Sequence, residues 1–301
     1  MSRMEYHNPV LLNECIEGLN INPKGIYVDV TFGGGGHSKL ILKNLDGGKL
    51  YAFDQDENAH KNALEGDSFK LINANFRYLK KFLRMEGIRK IDGLLADLGV
   101  SSHQFDVAER GFSIRFDGEL DMRMNTNSPL SAKSVVNEYG QENLANVLFK
   151  YGELRNSRAI AREIINAREV KEIVTTNQLI AIVEKMVPEK KRNQFLARIF
   201  QAIRIEVNDE MKALEEMLLS AVDMLNEGGR LVVLSYHSLE DRMVKNLMKK
   251  GNLEGKLQKD FFGNPIKDLK EITRKVIVAS EDQVVENTRA RSAKLRIAEK
   301  S

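Results

Sequence analysis

Between residues 26 and 98 the chain alternates short apolar runs with amphipathic ones. Residues 26–32, 49–53, 69–74 and 91–98 are rich in Ile, Val, Leu and Phe and read as strands. Residues 39–45, 57–64 and 77–86 lie between them and read as helices, the last with Leu79, Phe82, Leu83 and Met85 at helical spacing. Ahead of this block, residues 6–12 lead into a short helix over 13–19. Strands and helices in alternation, joined by short turns, predict a parallel doubly wound sheet.

The rhythm stops at Gly99. Residues 99–129 form a polar stretch too long for an ordinary connection. Five helical patterns follow, over 132–139, 141–151, 154–167, 177–186 and 193–203, with no convincing strand among them. An amphipathic helix over 209–225 then precedes a strand over 228–235. Runs at 273–279 and 292–298 predict two closing strands, paired antiparallel. The expected fold class is therefore α/β: a doubly wound, mostly parallel, Rossmann-like sheet with an inserted all-helical domain. The expected boundaries put residues 1–106 and 207–301 in the sheet domain and 107–206 in the insert. An antiparallel ending of this kind is typical of the S-adenosylmethionine methyltransferase fold and unusual for dinucleotide dehydrogenases.

Composition narrows the picture further. The 301 residues suffice for one large or two medium domains with a sizeable core. Cys15 is the single cysteine, which excludes an intramolecular disulfide framework and fits a reducing, cytoplasmic setting. No apolar run reaches membrane-spanning length, and the first residues lack a signal peptide's apolar segment. The net charge is only +3 although charged residues make up 30% of the chain, so clustering rather than total charge decides whether nucleic acid is a partner.

The first strand runs into Gly33, Gly34, Gly35 and Gly36, followed by His37 and Ser38 and a helix start. Glycines here let a ligand approach the backbone, and amides opening a helix favour a negative group. The dinucleotide fingerprint G-x-G-x-x-G fails, because its third glycine falls on Ser38 or Lys39. The phosphate-loop pattern fails as well. Asp29 lies within the first strand and Asp54 ends the second, where a carboxylate suits a ribose diol. NAD and S-adenosylmethionine enzymes both use that device. Phe76, beyond the third strand, offers a flat face to an adenine ring. Asp97, ending the fourth, suits the adenine amino group or a methionine ammonium, and Gln104 a ligand's polar end. Singly, Phe76 reads as core and Asp97 as a turn cap; four suitable residue types at four consecutive strand ends read as a site.

After the fifth strand comes Ser235-Tyr236-His237-Ser238-Leu239-Glu240-Asp241-Arg242. Ser238 with Asp241 reads as a helix cap, whereas His237 divides evenly between a functional and a capping role. No His-x-x-x-His or Cys-x-x-Cys spacing occurs, so no metal is expected. Basic residues gather at Lys185, Lys190, Lys191, Arg192, Arg198 and Arg204, diluted by acids, and again from Arg289 and Arg291 through Lys294 to Arg296. The second run has no acid until Glu299 and is the better candidate for phosphates.

These residues resemble one family, the MraW/RsmH methyltransferases that modify the N4 amino group of a cytidine in bacterial small-subunit ribosomal RNA. The matching stretches are His7 with Val10-Leu11-Leu12, residues 29–38, residues 97–102, and Glu109-Arg110-Gly111-Phe112-Ser113. They continue through Leu120-Asp121-Met122-Arg123-Met124, residues 200–205, residues 235–242 and residues 286–297. One departure is Gln194-Phe195-Leu196-Ala197-Arg198-Ile199, where the family has a Pro-Ala-Thr-Arg-Thr-like run. The resemblance implies S-adenosyl-L-methionine held by Gly35, Gly36, His37, Asp54, Phe76, Asp97 and Gln104, and a helical domain that recognises substrate. Asp97 is the expected catalytic residue. His237, Arg242, Arg289 and Arg291 are expected to contact 16S ribosomal RNA, free or within an assembled subunit. The oligomeric state stays open, a homodimer included. A DNA amino-methyltransferase, a dinucleotide oxidoreductase and a non-catalytic RNA-binding protein are the rivals.

Overall fold

The structure is a computed structural model that describes residues 9–273 and 275–301. His7 lies outside the described residues. The first half of the sheet comprises α1 (Leu12–Leu19), β1 (Ile26–Asp29), α2 (Gly36–Lys43), β2 (Lys49–Asp54), β3 (Phe69–Asn73), α3 (Leu79–Met85) and β4 (Ile91–Asp97). Helices follow: α4 (Ser102–Asp106), α5 (Ala132–Glu138), α6 (Gln141–Gly152), α7 (Ser157–Val170), α8 (Thr176–Val183), α9 (Arg192–Asn208) and α10 (Glu210–Met224). The chain ends with β5 (Leu225–Ser235), α11 (Ser238–Lys250), β6 (Leu269–Glu271), α12 (Glu281–Glu286) and β7 (Lys294–Lys300).

Seven strands form one sheet in the order β3-β2-β1-β4-β5-β7-β6. The first five run parallel, and β7 is antiparallel to both β5 and β6. Alternate side chains explain how both faces are covered. Val28, Phe53, Leu94, Leu231 and Val233 pack with α3, α10 and α11 on one face. Tyr27, Leu50, Leu95, Val232 and Leu234 pack with α1 and Ile41 of α2 on the other. Chain order reverses between β1 and β4, which makes the gap beyond those two strands the switch point where ligands of such sheets bind.

Two expected elements differ. The stretch 57–64 holds only a 3-10 turn, Ala59–Asn62. The Asp54 and Asp56 carboxylates each accept the N–H two residues on, which curls the chain before an α-helix can start. Of the run 273–279, Arg274 lies outside the described residues and the others form no strand: the three-residue β6 precedes them, and Ile277 touches Leu295 as a single bridge. β7 starts only at Lys294, because Thr288–Ser292 forms a 3-10 turn.

Contacts divide the chain into two compact units, the described residues up to Gly99 with Met211–Ser301, and Val100–Glu210. The second unit has its own core, in which Leu120, Met122, Val135, Leu148, Ile164 and Leu196 are fully buried. Its long polar stretch is ordered by hydrogen bonds. The Arg110 guanidinium donates to the carbonyls of Arg123 and Met124, at 2.8 and 3.3 Å. Asn208 of α9 donates to the Met122 carbonyl and accepts from the Met124 N–H. Gly111 has φ +70°, and a Cβ there would lie 2.3 Å from the Glu119 carbonyl oxygen, so only glycine fits.

Candidate functional site at the strand tips

Asp29, buried at the end of β1, organises the first loop. Its Oδ2 accepts the Ser38 hydroxyl of α2 at 2.6 Å, and its Oδ1 accepts the Thr31 N–H at 3.1 Å. This ties the helix start to the strand end and leaves the intervening glycines little freedom. Gly35 has φ +75°, and a Cβ on it would meet the Phe32 ring at 2.9 Å; one on Gly36 would sit 2.2 Å from Pro9. A side chain at either position would displace the turn.

Asp54, at the tip of β2, accepts the Gly33 N–H at 2.8 Å and the Asp56 N–H at 2.9 Å. Burial pushes its carboxyl up to about 6, against the pull of those two N–H groups. Two of its lone-pair positions are thus filled, and a diol can supply donors for the rest.

Asp97 ends β4, beside β1. Its N–H donates to Thr31 Oγ1 at 2.7 Å, so one threonine links the two tips. Tyr236, just past β5, donates its hydroxyl to Asp97 Oδ1 at 2.6 Å. The His37 Nδ1 lies 3.8 Å from Asp97 Oδ2, while its Nε2, 3.3 Å from the Val10 carbonyl, carries a proton for that acceptor. Burial raises the Asp97 carboxyl above its ordinary value, with His37 and Tyr236 pulling it down and Asp29 and Glu240 pushing it up. Its side chain is nevertheless 23% exposed, so solvent-side access remains. The same crowding of acids, on top of burial, raises the Tyr236 hydroxyl and the Cys15 thiol and keeps both neutral.

The structure brings Gly35, Gly36, His37 and Asp97 together, with Asp54 on the adjoining strand. Phe76 opens a 3-10 turn after β3, its ring partly buried against the sheet core. Gln104 belongs to the other compact unit; its Oε1 accepts the Ser101 N–H in a capping box that starts α4. His237, not Ser238, caps α11: its Nδ1 accepts the Glu240 N–H at 3.4 Å, and Glu240 returns the bond to the His237 N–H. The imidazole of His237 is only 8% exposed, with Nε2 3.2 Å from Glu240 Oε1 but outside hydrogen-bond geometry, so its visible role is the cap. Asp241 takes no part in that cap; it accepts from Arg296 at 2.7 Å and from Lys294 at 3.3 Å. Two cations of the C-terminal basic run are therefore committed to a structural pair. Arg242 and Arg291 are exposed, and Arg289 is half-buried in the 3-10 turn before β7.

Sequence reasoning overlooked Tyr236, Thr31 and Ser38. An aromatic hydroxyl ending the strand next to β4 was the available signal for the first. The helical unit carries an open pocket of about 330 Å³ between Tyr139, Asn143, Lys150 and Glu206. No strand tip lines it.

A glycine turn and isolated carboxylates at the switch point of a parallel sheet define the class: a doubly wound α/β protein shaped for a nucleoside-type ligand. The particular family follows from comparison with known proteins. Residues 4–301 match the MraW methylase family, and the chain belongs to it. It is 57% identical over 296 residues to the ribosomal RNA small subunit methyltransferase H of Phocaeicola vulgatus, covering 98% of this chain and 97% of that one. It is 58% identical over 298 residues to the protein of the same name from Flavobacterium johnsoniae, covering 99% and 98%. A solved rRNA methylase from Streptococcus thermophilus matches 96% of this chain and 93% of its own at 13% identity and a TM-score of 0.42, too distant to carry weight.

Proposed function

We propose that this methylase transfers a methyl group from S-adenosyl-L-methionine to the N4 amino group of a cytidine in small-subunit ribosomal RNA. The observation that carries the cofactor assignment is electrostatic. Asp29, Asp54 and Asp97 stand at three adjoining strand tips, and among the described residues none forms an ion pair with a lysine or arginine. A dinucleotide's pyrophosphate would be repelled there. A donor with a sulfonium and an ammonium, and a ribose diol for Asp54, fits the acids present. The names of the relatives support the RNA substrate.

The bound donor supplies a methyl group already activated on sulfur. What the chain must add is placement and relief of the poor nucleophilicity of an exocyclic amine. Asp97 accepts a hydrogen bond from that amine, localises its lone pair and takes its proton late. Burial makes the carboxyl a stronger proton acceptor than an exposed one. Tyr236 occupies Oδ1 and so aims Oδ2 at the substrate. The cytidine must leave its stack to reach this point. Exposed Arg242 and Arg291, with Arg289, hold the flanking phosphates, and the helical unit serves substrate recognition.

Nucleoside mass spectrometry of ribosomal RNA from a deletion strain tests the assignment. N4-methylated cytidine should vanish from the small subunit and return when the gene is restored. An unchanged nucleoside profile would refute it.

A further inference from the structure

Beyond the strand tips, the sheet unit carries a second feature of distinct chemistry. α11 is 13 residues long, about 20 Å, and runs back along the sheet from the tips. Past its Gly251 cap the chain makes an arm over residues 256–267 before entering β6. The arm folds on itself: Lys259 and Pro265 form a β-bridge, and the Ile266 N–H donates to the Gln258 carbonyl at 2.9 Å. Its turn is pinned by Asp260, whose Oδ1 accepts the N–H groups of Phe262 and Asn264 at 2.8 and 2.9 Å. Those bonds hold the Asp260 carboxyl below its ordinary value, so the turn keeps them at neutral pH.

What this turn displays is two phenylalanines in water. Phe261 is 97% exposed and Phe262 85%, with their rings edge to face at 5.6 Å. Leaving both unburied forgoes the favourable burial that each ring could supply. Lys259 and Lys267 belong to the arm itself, and Lys249, Lys250 and Lys270 lie in the two elements it joins; none is in an ion pair among the described residues. Three acids of this stretch are already engaged: Asp260 in the turn, Glu254 with Lys256, and Asp268 with Lys300.

We propose that this arm is a second RNA contact, in which Phe261 and Phe262 stack on unpaired bases of the substrate RNA and the surrounding lysines hold the adjacent phosphates. Exposed rings among unpaired lysines are the combination that binds single-stranded RNA without reading its sequence. The arm leaves the sheet at the end away from the strand tips. It therefore engages a part of a large folded RNA remote from the target base, and adds binding without touching the chemistry. This rests on the reading of the substrate as ribosomal RNA.

The test compares the full chain with the F261A/F262A double variant in filter binding to a small-subunit ribosomal RNA transcript. Anionic phosphatidylglycerol vesicles are assayed in parallel. The variant should bind the RNA about thirtyfold more weakly or worse, the loss expected for two stacked bases. Its calorimetric affinity for S-adenosylmethionine, its thermal midpoint and its kcat at saturating RNA should be unchanged. Equal RNA affinity in variant and parent overturns the arm while leaving the functional reading standing. Loss of vesicle association with RNA binding intact reassigns the arm to a membrane and also overturns it. A parent that binds no RNA removes the functional reading and the arm together. A K259E/K267E variant gives a second readout: weaker binding and a shallower dependence on salt are expected, and an unchanged salt slope counts against phosphate contact.

Discussion

Two acids at the same end of the sheet show what separates function from structure. Asp97 and Asp241 both lose most of their water, yet their surroundings act in opposite directions. At Asp241 burial raises the carboxyl, but Arg296 and Lys294 outweigh it and leave it below its ordinary value. At Asp97 burial also leads, and only a tyrosine hydroxyl and a distant imidazole oppose it, so the carboxyl ends above its ordinary value. The first is a satisfied pair joining α11 to β7. The second, with Asp29 and Asp54, is negative charge that the fold leaves without a cation.

Changing each acid should break the comparison differently. The largest effect is expected for Asp97→Asn, which keeps the Tyr236 contact but removes the proton acceptor. The kcat for methyl incorporation into small subunits should fall about 10²-fold or more, while the thermal midpoint should not fall, because the neutral amide relieves the burial that raises the carboxyl. Asp241→Ala should do the reverse. It strands Arg296 and Lys294 and should lower unfolding stability in urea by about 2 kcal/mol, while kcat at a temperature well below the midpoint stays within twofold.

Asp54→Asn separates stability from binding. The Asp54 carboxyl is raised from 3.8 to about 6 in the folded chain. Its favourable contribution is thus present below the unfolded value and is lost as pH rises through about 6. At pH 7.5 the charged form weakens the fold, so the asparagine variant should be more stable by about 1 kcal/mol, less than the full displacement implies because solvent reaches the group. Near pH 3.5 that advantage should be gone. Affinity for S-adenosylmethionine should nevertheless drop about tenfold, and in the parent it should weaken as pH falls below about 6. The smallest effect belongs to Tyr236→Phe. The lost hydroxyl favoured the charged form of Asp97, so the rising limb of the kcat–pH profile should move to higher pH. The rate at pH 8 should fall roughly threefold.

β1, β2 and β4 were legible because they are buried on both faces and so appear as nearly unbroken apolar runs ending in aspartate. Elements governed by side-chain turns or edges were not. Residues 57–64 carry helix-forming residues, but Asp54 and Asp56 capture their own backbone first. β6 is three residues at a sheet edge, too short for any periodicity. At the strand tips, Asp29, Asp54 and Asp97 stand out locally, because each ends a strand. Tyr236 was missed because its partner is 139 residues away and becomes adjacent only through the order β4-β5. For the same reason Lys294 and Arg296 read as free cations until Asp241, more than fifty residues earlier, is placed beside them.

Isothermal calorimetry of the full chain with S-adenosylmethionine and with NAD bears most directly on the uncompensated acids. One saturable site for S-adenosylmethionine is expected, weakened in Asp54→Asn and in Asp97→Asn, with no heat from NAD. Binding of NAD at comparable affinity, or S-adenosylmethionine binding unaffected by removal of either carboxylate, would contradict the central claim.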